Sequence, residues 1–261
     1  MSNYLLQKTI TACKLAAIAG KAITPPFLWN VAAAGAKRFS TAPLTQYSLE
    51  EVALESLFPK SESSQISMSV KQIRTHLWAM PEHELLVLGA IAKYLKPSYI
   101  IEFGTFTGAS TLALAMNSPG NAKVVTVDID PSERTVHQHG LGVGLLEFNV
   151  GMHFKLTNWE SKIEQRFSNS ASFDLPEWIG RVDLFFIDAD HTYEFVRRDT
   201  EKAKSMLSPN GVIVWHDYRW DPQDSECEGV TRAVNEFSDN YGGCYQIQGT
   251  RFAIHINSSP E

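Results

Sequence analysis

A chain of 261 residues, 44% hydrophobic and 20% charged, has room for one sizeable α/β domain with an extension and is too apolar for a disordered chain. Its formal charge of -6 argues against nucleic acid as a general partner, because duplex binding needs a basic surface to displace counterions. Cys13, Cys227 and Cys244 are odd in number and far apart, which suits neither a disulfide framework nor a zinc site and fits a reducing compartment.

Residues 1 to 49 carry Lys8, Lys14, Lys21, Lys37 and Arg38 and no acid, so the first segment has a different task from the acidic remainder. Lys21 and Pro25-Pro26 interrupt its apolar stretches, leaving no run long enough for a transmembrane helix. Three readings stay open: a membrane-surface contact through residues 1 to 40, a helical arm packing on the body or on a second copy in a homo-oligomer, and a transit peptide. Lys37-Arg38-Phe39-Ser40 resembles a mitochondrial processing site. The address expected is cytoplasmic, peripheral at the inner membrane surface on the first reading and mitochondrial on the last.

Thr41 to Val70, rich in Ser with Pro43 and Pro59, reads as a linker with short helical pieces near Leu49 to Leu57. The division expected is therefore residues 1 to 80, arm and linker, and residues 81 to 261, the main domain. Pro81-Glu82 starts a helix whose apolar face, Leu85 to Leu95, ends before Pro97. Tyr99 to Phe103, Val124 to Asp128, Asp183 to Asp188 and Val212 to Trp215 are short apolar runs with little alternation, as in parallel strands buried on both faces. Helices are predicted between them at Ala109 to Met116, Pro131 to Gly140, Trp159 to Phe167 and Tyr193 to Leu207. After Asp217 come an acidic loop, Asp221 to Glu228, and a helix from Val230 to Tyr241. Tyr245 to Gln248 and Phe252 to Ile256 form a terminal hairpin. The fold class is α/β: a doubly wound, mostly parallel sheet with a C-terminal antiparallel hairpin and an N-terminal helical arm.

Ligands bind such sheets at the carboxyl ends of the strands. The first end is Glu102, Gly104, Thr105, Phe106, Thr107 and Gly108, a glycine loop leading into a helix. Its spacing is E-x-G-x-x-x-G rather than G-x-G-x-x-G, with Phe106 where the pyrophosphate-admitting glycine would stand. A ligand with a ribose and an amino-acid tail but no pyrophosphate, such as S-adenosylmethionine, fits; a tight turn that only packs a helix on the sheet is the plain alternative. Asp128, followed by Ile129, closes the second strand, where it can accept hydrogen bonds from ribose hydroxyls while Asp130 or Ser132 caps the next element. Asp188 and Asp217 close the third and fourth. Side by side they would repel unless a hard cation such as Mg2+ held both ionised, with Asp190, His216 or water completing the shell. Capping alone is the competing role. His191, at the start of a helix facing this cleft, can take a proton from a substrate hydroxyl. His76, His83, His137, His139, His153 and His255 lack such company. Trp215, Tyr218 and Trp220 could stack on a sugar or aromatic ring, a role that competes with core packing.

Residues 81 to 256 resemble a class I S-adenosylmethionine-dependent methyltransferase. Glu102 to Gly108 is similar to the family's first motif and Val124 to Asp130 to its acidic second strand. Asp183 to Tyr193, containing F-I-D-A-D-H-T-Y, resembles the F-I-D-G-D-H-S-Y segment of the bacterial macrocin-type, or family 24, O-methyltransferases. Ser208-Pro-Asn-Gly211 with V-I-V-W-H-D-Y, and Gly229-Val-Thr-Arg-Ala-Val234, match two further segments of that subgroup. The resemblance implies methyl transfer to a hydroxyl of a small-molecule or sugar acceptor. It implies cofactor binding by the loop residues with Asp128, Ile129 and Asp188, metal binding by Asp188 and Asp217 with His216, and catalysis by His191. Tyr218 departs from an amide ligand of the catechol enzymes, and His216 from an acid in some relatives. Residues 1 to 80 are loosely similar to leaders of bacterial polysaccharide enzymes. The alternatives are a nicotinamide-dependent oxidoreductase on the same fold and a non-catalytic adenosyl-binding partner protein.

Overall fold

The computed structural model describes residues 48–61, 63–73, 79–133, 149–170, 172–173, 176–218 and 225–257, which belong to one compact unit. The basic arm, His76, His137, His139, Trp220 and most of the segment expected as a helix over Pro131 to Gly140 lie outside them. Of that last segment, Pro131–Glu133 is a 3-10 turn.

Eight strands among the described residues form one sheet: β1 (Glu50–Val52), β2 (Tyr99–Phe103), β3 (Lys123–Asp128), β4 (Ile163–Phe167), β5 (Val182–Ile187), β6 (Leu207–Trp215), β7 (Cys244–Ile247) and β8 (Ala253–Ile256). The order is β1-β7-β8-β6-β5-β2-β3-β4. Strands β2 to β6 pair in parallel, and β8 alone runs against its neighbours β6 and β7. The expected hairpin is therefore present, and it forms the extension of an otherwise parallel sheet. The chain order reverses between β2 and β5, where an open α/β sheet offers its ligand crevice.

Alternate residues of each strand enter opposite cores. Ile100, Val124, Leu184, Phe186, Val212 and Val214 pack under α2 (Glu82–Leu95) and α3 (Ala109–Asn117). Ile101, Val125, Phe185, Ile213 and Trp215 pack under α4 (Tyr193–Met206) and α5 (Ser225–Tyr241). Both faces are covered, which is why these strands read as continuous apolar runs. Helix α2 ends in the left-handed Lys96, and Pro97, which has no backbone N-H to offer, cannot continue it.

Three segments differ from expectation. Glu160–Lys162 is a 3-10 turn and Ile163–Phe167 a strand, not a helix. Ile163, Gln165 and Arg166 are half-buried and Glu164 and Phe167 exposed, as befits a strand at the edge of the sheet. Within the stretch assigned to a linker, Glu50–Val52 adds β1 in parallel to β7, so the sheet recruits residues upstream of 81, while Leu54–Leu57 forms the single turn α1, a short helical piece of the kind expected there. Ser225 to Glu228, expected in the acidic loop, already belongs to α5, and residues 221 to 224 lie outside the described part. Among the described residues no helix is long and apolar enough to cross a membrane.

Candidate active site

The loop after β2 is braced from within. Glu102 is fully buried; its Oε2 accepts hydrogen bonds from the hydroxyls of Thr111 on α3 and Thr126 on β3, while Oε1 has no partner of full hydrogen-bond geometry. Burial pushes its carboxyl up to about 7 against the pull of the Ser110, Thr111 and Thr126 hydroxyls. Thr105 and Thr107 are buried as well, Thr105 sharing a 2.7 Å hydroxyl contact with Thr126. Glu102, expected to face a ligand, thus supports the loop from below. Gly104 and Phe106 reach the half-exposed surface. Both have positive φ, 96° and 46°, so the position where a dinucleotide site carries glycine keeps a glycine-like backbone under a phenyl side chain. The need for Gly104 is packing: a Cβ there would sit 1.8 Å from the Asp188 carbonyl oxygen. Gly108 is equally hemmed in, with Phe154 at 2.6 Å from a would-be Cβ.

Asp128 accepts a hydrogen bond from the Phe106 backbone N-H at 2.8 Å, tying the second strand end to the loop. Asp130 takes the capping role, its Oδ1 accepting from Ser132 N at 2.8 Å. Asp128 and Ile129 are half-exposed beside the loop.

Across the cleft, β5 and β6 end side by side, Ile187 opposite Trp215, and this register brings Asp188 and Asp217 together. His191 Nε2 lies 3.2 Å from Asp217 Oδ2 and 3.8 Å from Asp188 Oδ1. One ligand atom from each of Asp188, His191 and Asp217 falls within 4.8 Å of the others, a spacing that can hold a metal ion. The buried His191 Nε2 makes no hydrogen bond of full geometry. Burial lowers the imidazole pKa, but the neighbouring Asp188 and Asp217 carboxylates prevail and raise it to about 8. Asp190 stands aside, accepting from Thr192 N at 2.7 Å at the entry to α4.

His216, expected as a third metal ligand, is engaged otherwise. Its Nε2 lies 2.9 Å from Glu84 Oε2, and its Nδ1 lies 3.2 Å from Asp188 Oδ1 and 3.3 Å from Asp217 Oδ1. Both ring nitrogens face carboxylates, the arrangement of an imidazolium with no lone pair left for an ion. Burial opposes that charge, yet Asp188 and Asp217 carry its pKa well above the ordinary value.

Two residues that no sequence pattern marked complete the group. Glu84, buried in the first turn of α2, accepts from Arg251 Nη2 at 2.8 Å, Nε at 3.1 Å and backbone N at 2.8 Å. Arg251, from the turn between β7 and β8, also donates through Nη1 to Asp217 Oδ1 at 2.9 Å. Burial would raise the Glu84 carboxyl; the bonds to His216 and Arg251 overcome it and hold it at about 2. Asp217 itself has φ of 60°, a left-handed conformation that aspartate tolerates better than most residues. A first-turn acid reads in sequence as a helix-dipole partner and a turn arginine as solvated, so only the fold could join them.

Trp215 and Tyr218 are core residues. Trp215 Nε1 donates to Thr200 Oγ1 at 2.8 Å, and the Tyr218 hydroxyl accepts from the Ser48 and Leu49 backbone and donates to Asn235.

Known proteins resemble this chain in sequence and in fold. Residues 101–218 match the family model described as a methyltransferase domain. A caffeoyl-CoA O-methyltransferase of Stellaria longipes is 30% identical over 186 residues, 68% of this chain and 68% of that protein. Catechol O-methyltransferase B of Danio rerio is 23% identical over 242 residues, 84% of this chain and 85% of that protein. In structure the chain is similar to the O-methyltransferase TomG of Streptomyces achromogenes, solved in complex with S-adenosylmethionine, at a TM-score of 0.52 with 16% identity, covering 78% of this chain and 96% of that one.

Proposed function

The chain belongs to the class I S-adenosylmethionine-dependent O-methyltransferases of the family 24 type, and from that premise we propose that Asp188, His191 and Asp217 are the acceptor side of its active site. The convergence of these three side chains, Asp188 after β5, Asp217 after β6 and His191 just before α4, carries the reading. An acceptor hydroxyl placed here surrenders its proton to His191 Nε2 in the neutral form of the imidazole, which a pKa raised to about 8 makes the major form only at alkaline pH. The oxygen attacks the sulfonium methyl carbon in line, the carbon-sulfur bond breaks with its electron pair left on sulfur, and S-adenosylhomocysteine departs. Positioning and local charge supply most of the acceleration.

The cofactor's seat, on this reading, is the half-exposed rim of Gly104, Phe106, Asp128, Ile129 and Asp188. Glu102, Thr105, Thr107 and Gly108 shape the loop beneath it. Asp128 faces the ribose, and Asp188 offers an anion to the cationic amino-acid tail. A divalent cation suits the donors of Asp188 and Asp217, Mg2+ through oxygen alone or Mn2+ where His191 nitrogen joins, and would stabilise an ionised acceptor oxygen. Relatives named for caffeoyl-CoA and catechol make a ring with two adjacent hydroxyls the acceptor to try first.

Calorimetry with S-adenosylmethionine is expected to show one site, and catechol methylation in Mg2+ should fall on adding excess chelator. Undiminished turnover under chelation would remove the ion. Replacing His191 with Ala should lower kcat by about 10² to 10⁴ with cofactor affinity unchanged, and a full rate would remove the base.

A further inference from the structure

Helix α5 lies directly against the turn that carries His191. A Cβ built on Gly229 would sit 2.2 Å from the His191 carbonyl oxygen, 2.5 Å from Tyr193 N and 2.9 Å from Thr192 C, all main-chain atoms that cannot swing aside. Glycine is the poorest ordinary residue for a helix interior, and here it sits inside a 17-residue helix on a buried face. Three and seven residues further along the same face stand Arg232 and Glu236. The Arg232 guanidinium lies 3.9 Å over the Tyr193 ring, and the Tyr193 hydroxyl donates to Glu236 at 2.5 Å. On its inner side the same turn is fixed by Asp190, which accepts from Thr192 N.

We propose that Gly229 is a positioning residue: it admits the α5 backbone against the His191–Tyr193 turn, and with Arg232 and Glu236 gripping Tyr193 it sets where the imidazole stands beside Asp217. The consequence for turnover rests on the reading of His191 given above; the clamp rests on geometry alone. An ordinary contact is about 3.4 Å or more, so alanine at 229 forces the turn and helix apart by about 1 Å, a displacement that at a reacting group costs on the order of 10²-fold.

The test uses the full chain carrying nitrogen-15 histidine, with the His191 ring signals assigned by their loss in His191→Gln. Gly229→Ala should shift those signals, leave the Kd for S-adenosylmethionine within about twofold and lower kcat for catechol methylation about 100-fold without a matching change in KM. The comparison variant is Ala233→Gly, which loosens α5 in the core while leaving position 229 and the Arg232 and Glu236 grip as they are, and it should leave signals and kcat in place. Unmoved His191 signals in Gly229→Ala, or the same losses in Ala233→Gly, would overturn the clamp. If Gly229→Ala does not fold, Arg232→Ala with Glu236→Ala decides: His191 signals that shift support the proposal, and unmoved signals refute it. Wild-type protein that leaves catechol unmethylated would count against the acceptor reading alone, with the ring signals still judging the clamp.

Discussion

Glu102→Gln should make the protein more stable, and only at higher pH. Glu102 has no exposed surface, and burial raises its folded pKa to about 7 from an ordinary 4.5. The native state therefore holds this proton more tightly than the unfolded chain does. That stabilisation is complete below about pH 4.5 and is lost as pH rises through about 7. At about 1.4 kcal/mol per pKa unit, the ionised carboxylate above pH 8 forgoes about 3 kcal/mol relative to acid conditions. Glutamine keeps the shape and an acceptor for the Thr111 and Thr126 hydroxyls and never ionises. Thermal unfolding followed by circular dichroism should therefore give a Tm for Glu102→Gln close to wild type near pH 5 and higher by roughly 6 to 12 °C at pH 8.5, at about 2 to 4 °C per kcal/mol for a domain of this size. S-adenosylmethionine affinity should change by no more than about threefold, because Glu102 braces the loop without facing the cleft, whereas a direct charged contact is worth tenfold or more. A Tm difference independent of pH, or a loss at pH 8.5, would refute the burial argument; a tenfold fall in affinity would refute the bracing role.

Asp199, buried on α4 with neither oxygen in a hydrogen bond of full geometry, is likewise pushed up by burial to about 7 despite Ser170 and Lys202. Asp199→Asn should add up to about 4 kcal/mol in urea unfolding at pH 8.5 and almost nothing at pH below 4, and an equal effect at both would contradict the shift. Arg251→Met strands the Glu84 and Asp217 carboxylates and should cost about 3 to 5 kcal/mol in the same assay. Adding Glu84→Gln should restore part of that loss; strictly additive losses would mean the two do not act as a pair.

Most of the sheet was legible because its strands are buried on both faces and announce themselves as apolar runs, Tyr99–Phe103 and Val182–Ile187 above all. The strand Ile163–Phe167 was not, since at the sheet edge Glu164 and Arg166 break up the apolar run that marks the inner strands and Phe167 stays exposed. In the site, Asp188, His191 and Asp217 were legible by standing at adjacent strand ends, a consequence of parallel topology. Gly104 has a second reason that the loop's spacing does not encode: its missing side chain makes way for the Asp188 backbone, an approach between two loops 84 positions apart. Glu84 and Arg251 escaped for the same cause, being joined across 167 positions by a hydrogen-bond network whose members look locally ordinary.

That network bears on what the acceptor oxygen meets. Glu84, Asp188 and Asp217 place three carboxylates around the site, and Arg251 with a protonated His216 supplies two cations, a balance of one negative charge while His191 is neutral. An oxygen losing its proton about 4 Å from that excess would be repelled by about 4 kcal/mol at an effective dielectric constant of about 20. His191, once it has taken the acceptor's proton, is a third cation that cancels this excess, and a divalent ion held by Asp188 and Asp217 would reverse its sign. His191 cannot give one nitrogen lone pair to an ion and to a proton together. Metal affinity measured in His191→Ala separates the roles: affinity retained with turnover lost assigns the imidazole to the proton, and affinity lost in parallel assigns it to the ion.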